Sequence, residues 1–146
     1  MSARRIVLCL PAKTQFVDPM PEETAKRDVE VSTEWNGTPA GVVGYAEGGW
    51  VALTLAAEHA QLVDRLVLVS APASGTEPTT IDLDSIQAKT LLVFGMKDEA
   101  VSPADRNWWR DRLNARLEMV PNEGHDILVR TWPRVLSHLA PHTLRK

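Results

Sequence analysis

Four groups of residues in this chain could do chemistry: Gly124-His125, Asp98, the glycine-flanked segment Gly44-Tyr45-Ala46-Glu47-Gly48, and the single thiol of Cys9. Histidine is the side chain that changes charge near neutral pH, and a carboxylate that accepts from one ring N–H leaves the other ring nitrogen as a base. His125 with an acid beside it is therefore a candidate acid–base pair, and the residues alone leave Asp98 as one of three acids that could serve. Glu99 and Asp126 are neighbouring acids that could take the place of Asp98. Ala46 is the opposite case, because a methyl group can neither attack a carbonyl nor be deprotonated. Cys9 cannot form an internal disulfide or a multi-thiolate zinc site, and a buried cysteine acting as a small hydrophobe is commoner than a thiol nucleophile. His138 and His142 read as surface residues. No metal site and no cofactor are expected.

These residues have to be held by elements that the hydrophobic pattern reveals. Apolar runs at residues 6–10, 40–44, 65–69, 90–94 and 115–120 alternate with helical patterns, and four of the five are nearly continuous. That is how strands covered on both faces read, so an α/β fold with a mostly parallel sheet of about five strands is expected. Residues 21–35 can be helical, opening with Pro21 and two glutamates and closing at Asn36-Gly37, although Val29-Glu30-Val31 alternates like a strand. Residues 48–60 form a small-residue helix able to pack close to a sheet. Ser102, Pro103 and Asp105 make a capping signal for a helix running toward Leu113. Leu128, Trp132, Val135, Leu136 and Leu139 mark one face of a last helix, with Pro133 an awkward early residue. Residues 71–88 read as a loop. Trp108 and Trp109 are adjacent and cannot share one helix face, so one belongs to the core and the other to a pocket or a partner.

With 146 residues, 44% of them hydrophobic, the chain is expected to form one domain spanning residues 1–146. A net charge of -3 with both signs interspersed gives no nucleic-acid-binding or membrane-binding surface. No run approaches membrane-spanning length, and the apolar run at 6–10 is too short for a signal segment, so a cytoplasmic protein acting on a small molecule is expected.

The segment Gly41-Val-Val-Gly44-Tyr45-Ala46-Glu47-Gly48-Gly49-Trp50, continuing to Val69-Ser70-Ala71-Pro72, resembles the strand, nucleophile elbow and helix of the α/β-hydrolases. The elbow pattern G-x-S-x-G is met except at the serine. Leu91 to Asp98 is similar to that family's strand leading to its triad acid, and Val120-Pro-Asn-Glu-Gly-His125 to its histidine loop. The resemblance implies a three-layer α/β sandwich. It puts Ala46 at the nucleophile position, His125 as the general base, Asp98 as its orienting acid, the Glu47 N–H as an oxyanion donor and Tyr45 at the mouth of the site. A cavity facing His125 beside Ala46 follows from the same match. About twenty residues between the third and fourth runs leave no room for a cap domain. Residues 5–28 look like the family's fourth strand and the helix leading to the elbow. The first three strands then have no counterpart, and nothing in residues 10–14 replaces the His-Gly loop that supplies a second oxyanion amide. That assignment also leaves a sheet face around Ile6, Leu8 and Val42 uncovered, and a homodimer would cover it.

Function divides into two classes. As an enzyme, the chain would use His125 and Asp98 for isomerisation, cyclisation or elimination on a carbonyl compound, or else be a serine esterase or thioesterase seen with Ser replaced by Ala. As a non-catalytic protein, it would bind a partner on an inherited hydrolase scaffold.

Overall fold

The computed structural model describes residues 5–10, 18–72 and 81–145. Strand β1 (Arg5–Leu10) is followed by a single helical turn, α1 (Pro21–Thr24), and by β2 (Val29–Ser32). Then come β3 (Ala40–Tyr45), α2 (Gly48–Glu58) and β4 (Val63–Val69). A short 3-10 turn at Leu83–Ser85 precedes β5 (Lys89–Gly95), α3 (Pro103–Leu113), β6 (Arg116–Val120) and α4 (Leu128–Leu139). All neighbours in the six-stranded sheet are parallel, in the order β2-β1-β3-β4-β5-β6. Consecutive strand residues point to opposite faces, and each face is covered. Leu8, Leu10, Val42, Leu66, Leu68, Leu92 and Phe94 join α2 and α3 in one core layer. Val7, Cys9, Val43, Val67, Val69, Leu91 and Val93 join α4 in the other. This three-layer α/β arrangement explains the continuous apolar runs, since the apolar residues of the central strands β3, β4 and β5 are buried between these layers.

Two helices follow their sequence signals closely. At α3 the Asp105 N–H donates to Ser102 Oγ at 3.1 Å, the Ser102 N–H donates back to Asp105 Oδ2 at 3.3 Å, and Asn114 ends the helix with φ 50°. α4 continues through Pro133 because Trp132, Val135, Leu136 and Leu139 are each fully buried, so packing outweighs the lost backbone donor. Three guanidinium groups from separate segments meet the carbonyl end of α4, where the helix dipole favours positive charge. Arg5 donates to Leu139 O, Arg27 to Ala140 O at 2.9 Å and Arg65 to His138 O at 3.5 Å. In the tryptophan pair, Trp109 is the core residue, its Nε1 donating to Ala71 O at 2.9 Å, while Trp108 packs half-buried on the same layer.

The N-terminal third departs from the sequence reading in three linked ways. Residues 21–35 are not one helix: only Pro21–Thr24 is helical, and Val29–Ser32 pairs with β1 as the edge strand, which the β-branched alternation at Val29 and Val31 favours. β1 also lies directly beside the elbow strand β3, with Leu8 opposite Val42. A loop that shares an oxyanion with the elbow has to leave the strand next to it, so β1 fills the place of the family's third strand and β2 that of its fourth. The helix between them is present as α1, and it packs on α4 through a bond of 2.9 Å from Trp132 Nε1 to Thr24 Oγ1. Among the described residues most of the expected face is covered: Leu8 is 1% and Val42 0% exposed under α2, while Ile6 is half-buried. The homodimer expectation loses its ground. Residues 11–17, which include most of the segment read for a second oxyanion donor, and 73–80 of the expected loop lie outside the described residues. Among the described residues, no helix is long and apolar enough to cross a membrane.

The Trp132–Thr24 bond carries the junction of α1 with α4. Thr24→Val keeps the shape but leaves a buried indole N–H without its acceptor, and should lower the unfolding free energy by about 1–3 kcal/mol, read from the urea midpoint.

Candidate active site

The C-terminal edge of the sheet gathers Tyr45, Ala46, Ser70, Asp98 and His125 from three adjacent strands and the loop after β6. β3 ends at Tyr45, Ala46 turns into the left-handed region with φ 53°, and Glu47 is the N-cap of α2 with ordinary helical angles. Two backbone bonds fix this turn: the Ala46 N–H donates to Val69 O at 2.9 Å, and the Gly49 N–H donates to Ala46 O at 3.0 Å. Gly44 is required for it, because a β-carbon there would lie 2.7 Å from Gly48 O and 2.8 Å from Gly49 Cα. Alanine pays a steric cost in the left-handed region that glycine does not, so the turn is held against the preference of its central residue.

The acid and the histidine are brought together by a second close approach. The backbone of residues 123–124 crosses the end of β5 so tightly that a β-carbon on Gly95 would fall 2.1 Å from Gly124 O. The Lys97 N–H donates to Glu123 O at 2.8 Å and ties the two loops. Asp98, its side chain fully buried, accepts from the Ala100 N–H at 2.8 Å on one oxygen and lies 2.9 Å from His125 Nδ1 on the other. A carboxylate only accepts, so the Nδ1 proton points at Asp98 and Nε2 is left as the basic nitrogen. Of the other two acids, Glu99 and Asp126 are both exposed. The carbonyl of His125 is held in turn by Ser70 Oγ at 2.7 Å, by the Ile127 N–H at 3.1 Å and by the Tyr45 hydroxyl at 3.3 Å.

The Tyr45 ring lies 5.6 Å from the His125 ring. Its phenol is held above the ordinary tyrosine range, first by burial and then by Asp126, Asp98 and Glu47 nearby, so it remains a donor through neutral pH. Tyr45 therefore supports the histidine loop as well as flanking the elbow. Ser70 has no motif to announce it; the only signal was a serine immediately after a strand that is apolar to its end. Cys9 is 3% exposed, and burial, with Asp18 adding to it, pushes its thiol up to about 12, which removes it as a nucleophile at neutral pH. Two cavities lie away from Ala46. One of about 510 Å³ is lined by residues 57–62 and the 3-10 turn, and one of about 490 Å³ lies beside α1 and β2.

Sheet, elbow turn and histidine loop together define an α/β-hydrolase. The model of one family within that class, Serine hydrolase (FSH1), matches residues 17–126, a span that takes in Ala46, Asp98 and His125. The chain belongs to that family. Among solved structures it is similar to a predicted CIB-like hydrolase from Thermoplasma acidophilum, with a TM-score of 0.69 and 20% identity over 92% of this chain and 84% of the other. A protein of unknown function from Agrobacterium tumefaciens gives a TM-score of 0.70 and 14% identity over 100% of this chain and 90% of the other. A dienelactone hydrolase from Anabaena variabilis gives 0.56 and 24% identity over 73% of this chain but only 50% of its own, so the chain spans about half the length of that enzyme. Identities this low speak for the fold alone. No curated protein matches the chain.

Two measurements bear on this geometry. Ala46→Gly relieves the left-handed strain and should stabilise the protein by about 0.5–1 kcal/mol in urea unfolding, whereas glycine in a relaxed helical position would destabilise it. Cys9 should resist a chromogenic disulfide reagent at pH 8 in the folded protein and react at once in denaturant; rapid labelling of the native state would contradict its burial.

Proposed function

We propose that this member of the family carries out acid–base chemistry without a covalent intermediate on a small carbonyl compound, with His125 as the base and Asp98 as its orienting acid. The bond of 2.9 Å between Asp98 Oδ2 and His125 Nδ1 carries the reading, because it selects the tautomer in which Nε2 accepts a proton. Position 46 has no atom able to form an acyl-enzyme, so the reading is confined to chemistry without a covalent intermediate at the elbow. Deprotonation beside a carbonyl is such chemistry: His125 Nε2 takes the proton, the negative charge develops on the carbonyl oxygen, and the same imidazolium returns the proton at another carbon. The Glu47 N–H, at the start of α2 where the helix dipole is positive, suits that oxygen. Isomerisation follows this scheme as written; elimination shares its first step, with the enolate expelling a leaving group from the β-carbon that takes up the imidazolium proton, and cyclisation has the enolate attack an electrophilic carbon of the same molecule, whose heteroatom takes up that proton.

A second reading has its own observation. The left-handed turn at Ala46, which an alanine does not need, is the conformation that presents a nucleophile on an elbow. In that reading the chain is a serine esterase or thioesterase with Ala in place of Ser, and Ala46→Ser completes it. A binding protein on the same scaffold has less support, since it would not need the buried acid bonded to the ring.

Deuterium exchange beside the carbonyl of small ketones, lactones and thioesters, followed by proton NMR, separates the first two. The proposed base predicts exchange that falls roughly 10²–10⁴-fold in His125→Ala and less in Asp98→Asn. Exchange that survives in both variants would remove the dyad from the chemistry. The esterase reading predicts instead no exchange by the parent protein and hydrolysis of p-nitrophenyl acetate by Ala46→Ser.

A further inference from the structure

Ser70 stands one residue past β4 in the left-handed region with φ 54°, beside Ala46, which stands one residue past β3 with φ 53°. The two backbones are anchored alike: the Ala46 N–H donates to Val69 O on the next strand, and the Ser70 N–H donates to Val93 O on the strand after it, at 3.0 Å. A serine in this conformation is strained. What the conformation achieves is aim. With its backbone fixed to β5 and its side chain completely buried, the hydroxyl donates to the His125 carbonyl at 2.7 Å, shorter than the bonds from Tyr45 and Ile127 to the same oxygen. The ring of His125 is meanwhile fixed at Nδ1 by an acid on the loop after β5. Main chain and ring of one residue are thus held from neighbouring strands.

We propose that Ser70 is a positioning residue for His125, a clamp on its main chain that keeps the imidazole registered against Asp98 in the Nδ1-protonated tautomer. The inference rests on the reading of His125 as a base, but it concerns where the ring is held and not which substrate it serves. Ser70 is not a nucleophile in this scheme, because its oxygen is buried and its proton is committed to a carbonyl. Without the hydroxyl, the carbonyl keeps two donors and the fold survives, while the ring is free to turn away from the acid. The tautomer ratio then moves toward Nε2–H and the basic nitrogen is lost from the site.

Long-range proton–nitrogen correlation spectra of the full chain at pH 8 read this ratio for His125 without any substrate. The parent protein should show the Nδ1–H form. Ser70→Gly, which accepts a positive φ without strain, and Ser70→Ala should each lower the Nδ1–H to Nε2–H ratio about fivefold, the effect expected for one neutral hydrogen bond. Ser85→Ala is the control: it removes a hydroxyl bonded to Ala57 O and Asp82 O at the far edge of the sheet, so it should reduce stability and leave the His125 ratio unchanged. Two foldable variants at position 70 keep the test open if one is poorly soluble. An unchanged ratio in both, or an equal change in Ser85→Ala, would overturn the clamp. A parent protein in the Nε2–H form would instead overturn the base itself, which separates failure of the clamp from failure of the proposed chemistry.

Discussion

Because the backbone of residues 123–124 crosses the end of β5 with no room for a β-carbon at Gly95, the histidine loop has one place to lie, and the rest of the site follows from it. Once the loop is seated there, Lys97 and Glu123 join main chain to main chain, and Asp98 comes within a hydrogen bond of His125. The sheet order then sets what can stand opposite. β3, β4 and β5 are consecutive neighbours, so the residues just past their ends form a short row at one edge. Ala46 and Ser70 belong to that row, and their similar left-handed backbones aim one at the mouth of the site and the other at its histidine. In a parallel sheet of this kind the positions beyond the carboxyl ends are where ligands meet the protein, and the chemistry is decided by which side chains the turns present.

Membership of a serine hydrolase family and an alanine at the elbow pull in opposite directions, and the geometry narrows the conflict. The turn that would carry the serine is intact, and so is the bond that would make the histidine its base. What is missing is one oxygen atom. The buried carboxylate of Asp98 is costly to desolvate, and the bonds it accepts from Ala100 and His125 offset that cost.

Much of this was legible in the residues themselves. Continuous apolar runs announced strands covered on both faces, and Ser102 with Asp105 announced a helix start, because both signals depend on local physics that tertiary context seldom overrides. The edge strand β2 was hidden for the converse reason. It has four residues and, among the described residues, one strand neighbour, and its two valines sit in a segment whose Pro21 and paired glutamates look like a helix start. Strand order is not written locally at all. Whether the first strand lies beside the elbow or one place removed depends on pairing across thirty residues, and assuming the wrong place produced an exposed face where α2 in fact packs. Ser70 escaped for a similar reason, since its partner is fifty-five positions away and is a backbone carbonyl that no motif encodes.

The arginines at the end of α4 bear on the order in which the chain is made. Arg5, Arg27 and Arg65 all come from the first half of the sequence, yet the carbonyls they hold belong to residues 138–140. Under the same helix lie Val7, Val43, Val67 and Val93, contributed by four different strands. During synthesis these groups are present long before the helix that packs on them, so the half-built sheet has one apolar face in water and three guanidinium groups without the carbonyls that α4 brings. Native packing on that face waits for residues 128–140 to emerge, and until then the nascent chain offers chaperones the kind of surface they recognise.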